Sequence, residues 1–325
     1  MFSRMRSWVD VAPWVRLGRL PRILASPGYV GLCIAACLLT LAVANITVPI
    51  SLSRLSIIRV DESAAYLIHQ VSSTGIIAAL TFAVLIWMIW TPVLQVVGRA
   101  GASLVAGRGL PSLGASIRLT GGRLGRSYLA AVVPLLCVAG MGLILFILSL
   151  PAVLTEWTWL ATLSGWAIGL GAIPAGILAF GALFAIPFAL VAICCEPDPD
   201  VFDSLSRGYE YLYRRPLHLV WYVLVSAAMV YVATWFFQGV AASASTVAGI
   251  VAGAVDQTEP LLSAAFGMIG LVFVAWQVTL SLALIGGMYL LLRRDAGGQE
   301  LDDFWIPPTK PSASLPKLPD EADQS

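Results

Sequence analysis

The chain has 325 residues, 59% of them apolar and 11% charged, with a net charge of +1, whereas an ordinary soluble domain carries about 25% charged residues. So little polar surface excludes a soluble enzyme, a nucleic-acid binder and a disordered scaffold before any motif is considered. The composition predicts an all-α, polytopic transmembrane helix bundle.

A hydrocarbon core about 30 Å thick requires about 20 consecutive apolar residues in helical form, because every backbone polar group must be satisfied within the segment. Residues 1–27 form a basic N-terminal segment with Arg4, Arg6, Arg16, Arg19 and Arg22, and the first span is predicted at 28–50. Cys33 and Cys37 share a face of that span, but with no His or carboxylate in the run they read as packing residues. Ala42-Val43-Ala44 follows a basic start and an apolar core, as a signal cleavage site would. The apolar run continues to Ile50, so the span is expected to be kept. A loop over 51–73 holds Arg54, Arg59, Asp61, Glu62 and His69, and the second span is predicted at 74–97.

Gly98 to Arg126 carries Arg99, Arg108, Arg118, Arg123 and Arg126 and no acid. These five are expected to face anionic headgroups, where each cation contributes about 1 kcal/mol, although retention of positive charge on the inner side accounts for the cluster as well. The third span is predicted at 127–149 and the fourth at 161–194, with Trp157 and Trp159 at the outer interface. The fourth run is 34 residues long, about 51 Å of helix at 1.5 Å per residue, so it must bend or protrude. Pro174, between Gly171 and Gly176, is the predicted kink. Gly165 and Gly169 form a lone G-x-x-x-G, a weak sign of close helix packing.

Glu196, Asp198, Asp200 and Asp203 follow; a solvated helix start explains them better than a divalent-cation site, since carboxylates favour helix N-termini. From Asp200 to Arg215, Phe202, Leu205, Tyr209, Leu212 and Tyr213 recur at three and four, which predicts an amphipathic helix on the membrane surface. Asp200 is its cap, Asp203 and Arg207 lie four apart, and Arg214 and Arg215 close the last turn. At an offset of 89 residues Leu113, Arg118 and Arg126 match Phe202, Arg207 and Arg215, a faint repeat of two hairpins. The fifth and sixth spans are predicted at 217–239 and 264–292, with Trp276 packing between helices. Ala241 to Ala254 is too short and too mild to span and is expected to rest at the interface, and the Pro-rich tail 295–325 to be disordered.

With the N-terminus inside, every Lys and Arg except Arg54 and Arg59 falls on the inner side, so six spans with both ends cytoplasmic satisfy the positive-inside rule. No Asp, Glu, Lys or Arg lies within the six runs, which disfavours an ion-coupled carrier, although Asn45, Gln95 and Gln277 could line a narrow path. His69 and His218 fall on opposite faces and cannot share a metal. No phosphate loop, zinc spacing or nucleophile elbow is visible, so no cofactor and no catalytic residue is expected.

Asp200-Val-Phe-Asp-Ser-Leu-Ser-Arg-Gly-Tyr-Glu-Tyr211, Arg215-Pro216, Leu290-Leu-Leu-Arg-Arg-Asp295 and Pro13-Trp14-Val-Arg16-Leu17 together resemble a family of uncharacterised polytopic bacterial inner-membrane proteins. The arginine-rich loop lacks the acids that family is expected to carry there, and Asp295 to Glu300 is a loosened closing motif. The repeated helix-and-span unit is more weakly similar to membrane domains found beside glycerophosphodiesterases. That similarity implies lipid association and no reaction. The expected partners are an anionic bilayer and a further membrane protein.

Overall fold

The computed structural model describes residues 12–47, 75–154, 157–252, 258–298, 300–301 and 303–306. Arg54, Arg59, Asp61, Glu62, His69 and the prolines from Pro307 onward lie outside the described residues. Among those described, every regular element is helical: a 3-10 helix at Pro13–Ala25, then α1 (Pro27–Thr47), α2 (Ile76–Val105), α3 (Leu113–Gly121), α4 (Leu124–Leu154), α5 (Thr158–Cys195), α6 (Val201–Arg214), α7 (Pro216–Ala252) and α8 (Thr258–Gly297). Six of them, α1, α2, α4, α5, α7 and α8, are long and apolar enough to cross a membrane, and they match the six predicted spans in order.

Their extents differ from the predicted ones. The second helix continues past Gly98 to Val105. The fifth runs on to Ala252, so most of the segment expected at the interface is a continuous helical extension. The fourth is one uninterrupted helix through both Pro174 and Pro187. Hydropathy places a boundary where side chains turn polar, but a helix ends only where its backbone hydrogen bonds end.

Burial divides the long helices into unequal halves. The core gathers Val93 to Val105 of α2, Phe188 to Cys195 of α5 and Leu280 to Leu292 of α8, all toward the arginine-bearing end. The opposite halves expose Ile77 and Leu80, Leu143 and Phe146, Trp166 and Leu170, and Trp235 and Phe236. Exposed apolar surface of this extent is the surface a lipid solvent demands.

Close approach within the core depends on three glycines. A β-carbon on Gly286 of α8 would collide with the Gly98 carbonyl of α2, and one on Gly101 with the Ala283 backbone. Small residues of this kind let helix backbones meet directly. Gly165 and Gly169 have open space beside them, so the lone G-x-x-x-G is no packing site.

The basic N-terminal segment is not a free arm in its described part. Its 3-10 period of three places Leu17, Leu20 and Ile23 in one row, and all three are buried. Leu17 and Leu20 rest over Gly287 of α8. Trp14 meets Trp221 of α7 edge to face at 6.2 Å. The tail departs from expectation too: Leu301 and Phe304 are buried in the same core, so disorder does not begin at 295.

Candidate functional site

The arginine-bearing end holds most of the buried polar chemistry, and it is organised around the C-terminus of α5. The last carbonyls of any helix lack intrahelical donors. Here the shortage is written into the sequence, because the donor for the Ile193 carbonyl would be residue 197, which is proline. Arg123 supplies the missing donor, its Nη1 reaching the Ile193 carbonyl at 2.5 Å and that of Glu196 at 2.7 Å. Its Nη2 donates to the Pro197 carbonyl at 3.1 Å, and Arg126 donates to Pro199 at 3.3 Å.

Arg99 completes the cap. It is 4% exposed, donates to the Cys194 carbonyl and reaches the Trp305 carbonyl at 3.1 Å. Its guanidinium lies 5.0 Å from the Phe304 ring centroid, and Arg123 lies 4.6 Å from that of Trp305. A cation buried this deeply is held by the negative end of the helix dipole and by the ring faces. Burial lowers the Arg123 guanidinium from its ordinary value, and the like charges of Arg99 and Arg126 act in the same direction.

A second cluster joins α5, α6 and α8. Glu196 pairs with Arg207, accepts from the Tyr289 hydroxyl at 2.8 Å and lies 3.9 Å from Arg293. Arg207 also meets Asp203 at 2.7 Å. Burial works against the Arg207 charge, but Glu196 and Asp203 more than compensate, so its pKa is raised. Burial, then the Glu196 charge, pushes the Tyr211 phenol above its ordinary range. Asp200 caps α6 by accepting from the Asp203 backbone N–H at 3.2 Å, as predicted.

The predicted headgroup cations separate into two groups. Arg108, Arg118 and Arg126 are exposed, whereas Arg99 is buried and Arg123 half-buried; these two are corrected from headgroup ligands to helix caps. The predicted surface helix turns part of its apolar face inward. Its buried face is Val201, Ser204, Leu205, Gly208, Tyr211 and Leu212, packed on α5, with Ala130 and Val133 of α4 and Tyr289 of α8 alongside. Phe202, Tyr213, Arg214 and Arg215 are exposed, and Arg207 and Tyr209 half-buried. Gly208 permits this seat, since a β-carbon there would stand 2.6 Å from the Ala185 carbonyl oxygen. Tyr209 and Tyr213 donate to the carbonyls of Leu178 and Ile177, at 3.1 and 2.5 Å. Among the described residues Arg118 has no contact resembling that of Arg207 with Glu196, so the repeat extends to placement, each short helix preceding a long one, and not to shared chemistry.

Sequence reasoning missed a polar stripe on α2. Thr91, Gln95, Arg99 and Ser103 are all buried, at four-residue spacing, and Trp87 continues the series. Gln95 donates to Ser127 of α4 and, at 3.2 Å, to the Leu190 carbonyl of α5. Trp87 meets Tyr128 edge to face at 5.3 Å. The signal was there as W-x3-T-x3-Q-x3-R-x3-S, but it crosses the boundary that hydropathy draws at Gly98. Asn45 is exposed, while Gln277 bonds Thr234 of α7 at 2.7 Å. Trp276 packs against Phe237 at 4.7 Å, as expected of a helix-packing residue. Among the described residues no group of three or more His, Cys, Asp or Glu is placed to hold a metal.

No family model matches the chain, and neither a curated protein nor a solved structure does so.

Proposed function

We propose that the protein is a non-catalytic, multi-pass inner-membrane protein that acts in membrane assembly or in envelope and lipid organisation, with both termini cytoplasmic. The observation that supports this reading is how the polar side chains at the arginine-bearing end are employed. Arg99, Arg123, Glu196 and Arg207 hold backbone carbonyls and one another, which builds a rigid platform. Arg108, Arg118, Arg214 and Arg215 stay exposed around it, suited to an anionic leaflet. The long apolar halves on the other side suit lipid or a membrane-protein partner.

Two experiments test it together. Crosslinking in native membranes should recover a defined membrane protein or anionic lipid through the exposed arginine face. Deleting the gene should alter envelope or lipid composition; loss of uptake of one metabolite with membrane composition intact would overturn the reading.

One observation favours a second reading, a transporter for a neutral or lipidic solute. Phe237 and Val240 of α7 with Met268, Val272 and Trp276 of α8 line an apolar cleft of about 190 Å³. Uptake of a lipidic solute that is lost in Val240→Trp would replace the first reading with this one.

A further inference from the structure

The polar stripe on α2 contains more hydrogen-bonding capacity than the protein satisfies. Gln95 is 0% and Thr91 2% exposed, yet Gln95 Oε1 and Thr91 Oγ1 have no hydrogen-bond partner among the described residues. The indole nitrogen of Trp87, one turn further along, is likewise buried and unpartnered. The three atoms are an acceptor, a hydroxyl and a donor, set at i, i+4 and i+8 on one helix, so they follow one another along a single face. Leaving a buried polar atom unpaired costs about 1–3 kcal/mol. Three in succession is therefore not an arrangement that packing alone would retain.

The surroundings are suited to a small polar guest. Gln95 Nε2 is already committed to Ser127 and Leu190, which turns the amide so that its oxygen is the free end. Ala131, one turn beyond Ser127 on α4, is buried and small. The Met88 carbonyl, which Pro92 cannot serve, receives the Tyr128 hydroxyl at 3.0 Å. That same ring lies against Trp87, so the stripe is lined on its α4 side by side chains fixed in place. In the other direction the stripe continues to Arg99 and Ser103, toward the charged end, and Phe304 and Trp305 cover Arg99.

We infer that Trp87, Thr91 and Gln95 of α2, together with Ser127 of α4, form a hydrated inlet that reaches from the arginine-bearing end into the span. Its ligand is a small neutral molecule able both to donate and to accept a hydrogen bond, water foremost. Buried water characteristically makes about three hydrogen bonds to polar groups otherwise unsatisfied, and hydrated backbone and side chains at membrane depth occur where they line such a cavity. The inference does not depend on the assembly role, which survives if it fails.

The test is local hydration, read through thiol reactivity in the full chain reconstituted in phosphatidylcholine–phosphatidylglycerol liposomes. The native cysteines are first replaced by alanine, and Thr91→Cys, Ser127→Cys, Leu80→Cys and Leu143→Cys are compared for reaction with methyl methanethiosulfonate. Leu80 and Leu143 are controls exposed on the apolar surface. Only the thiolate reacts, and each pKa unit added by an apolar surround costs about ten-fold in thiolate. Thr91→Cys and Ser127→Cys are expected to react at least about ten-fold faster than the controls. Adding Gln95→Leu should return Thr91→Cys to the control rate. Rates at Thr91→Cys and Ser127→Cys equal to the controls would show a dry interface and overturn the inlet. Should Thr91→Cys fail to fold, Ser127→Cys reads the same space.

Discussion

At Gly286 one missing methyl group decides whether two helices can cross. An alanine there would drive its β-carbon into the Gly98 carbonyl, whereas the same change at Gly165 meets open space. Gly286→Ala should therefore lower thermal stability by about 1–3 kcal/mol, the usual range for overpacking. Gly165→Ala should raise it by about 0.5–1 kcal/mol through the entropy of the unfolded chain. Melting curves of the two purified variants in one detergent check both signs. Tyr211 makes a different prediction at this scale. Its pKa is raised in the folded chain above the ordinary value of 10.0, first by burial and then by Glu196. Its contribution is thus complete below pH 10.0 and is lost as pH climbs through the higher folded value. Stability should fall in the alkaline range above about pH 10, and Tyr211→Phe should flatten that fall in a titration followed by circular dichroism.

At two prolines, one inside a helix and one just past a helix end, another element supplies a donor to the carbonyl left bare. Tyr128 of α4 serves the Met88 carbonyl released by Pro92, and Arg123 serves the Ile193 carbonyl that Pro197 leaves bare. The coupling is measurable. Tyr128→Phe should cost about 1 kcal/mol, but in a Pro92→Ala background, where residue 92 regains its N–H, the same change should be nearly neutral. A double-mutant cycle giving no coupling would detach the two residues. For α6, the element scale explains why a surface-helix pattern became a packed helix. Periodicity identified the apolar residues, but Gly208 helped select the face, since a β-carbon there would collide with the Ala185 backbone of α5.

Across the whole molecule, charge and apolar surface are segregated along the bundle. The buried core, the capping arginines and the exposed cations lie together, and the long apolar halves extend away from them. If the positive-inside rule governs insertion here, Arg118→Cys and Arg214→Cys in intact cells should both resist a membrane-impermeant thiol reagent and both react in inverted vesicles. Labelling of the two from opposite sides would reverse the proposed orientation. The folded-back tail adds a prediction at the same scale. Trp305 is seated on Arg123 and Arg99, so Trp305→Ala should speed proteolysis after Leu301 while leaving the six long helices folded, as read by mass spectrometry and far-UV circular dichroism.

The sequence by itself determined the number and order of the long helices, the Asp200 cap and the helical character of 201–214. These depend on properties local to the chain: apolar run length, the short polar side chains that cap a helix, and spacing of 3.6 residues. Only the tertiary structure decided which polar residues were buried. Arg99 and Arg118 stand in one stretch of sequence, yet one caps the C-terminus of α5 and the other is exposed. Within the run from Gly98 to Arg126 nothing separates them, and only the four-residue series that begins at Trp87 singles out Arg99. The difference is created by a helix terminus and an aromatic pair brought from 95 and 206 residues away, and a partner that distant leaves no mark on local pattern.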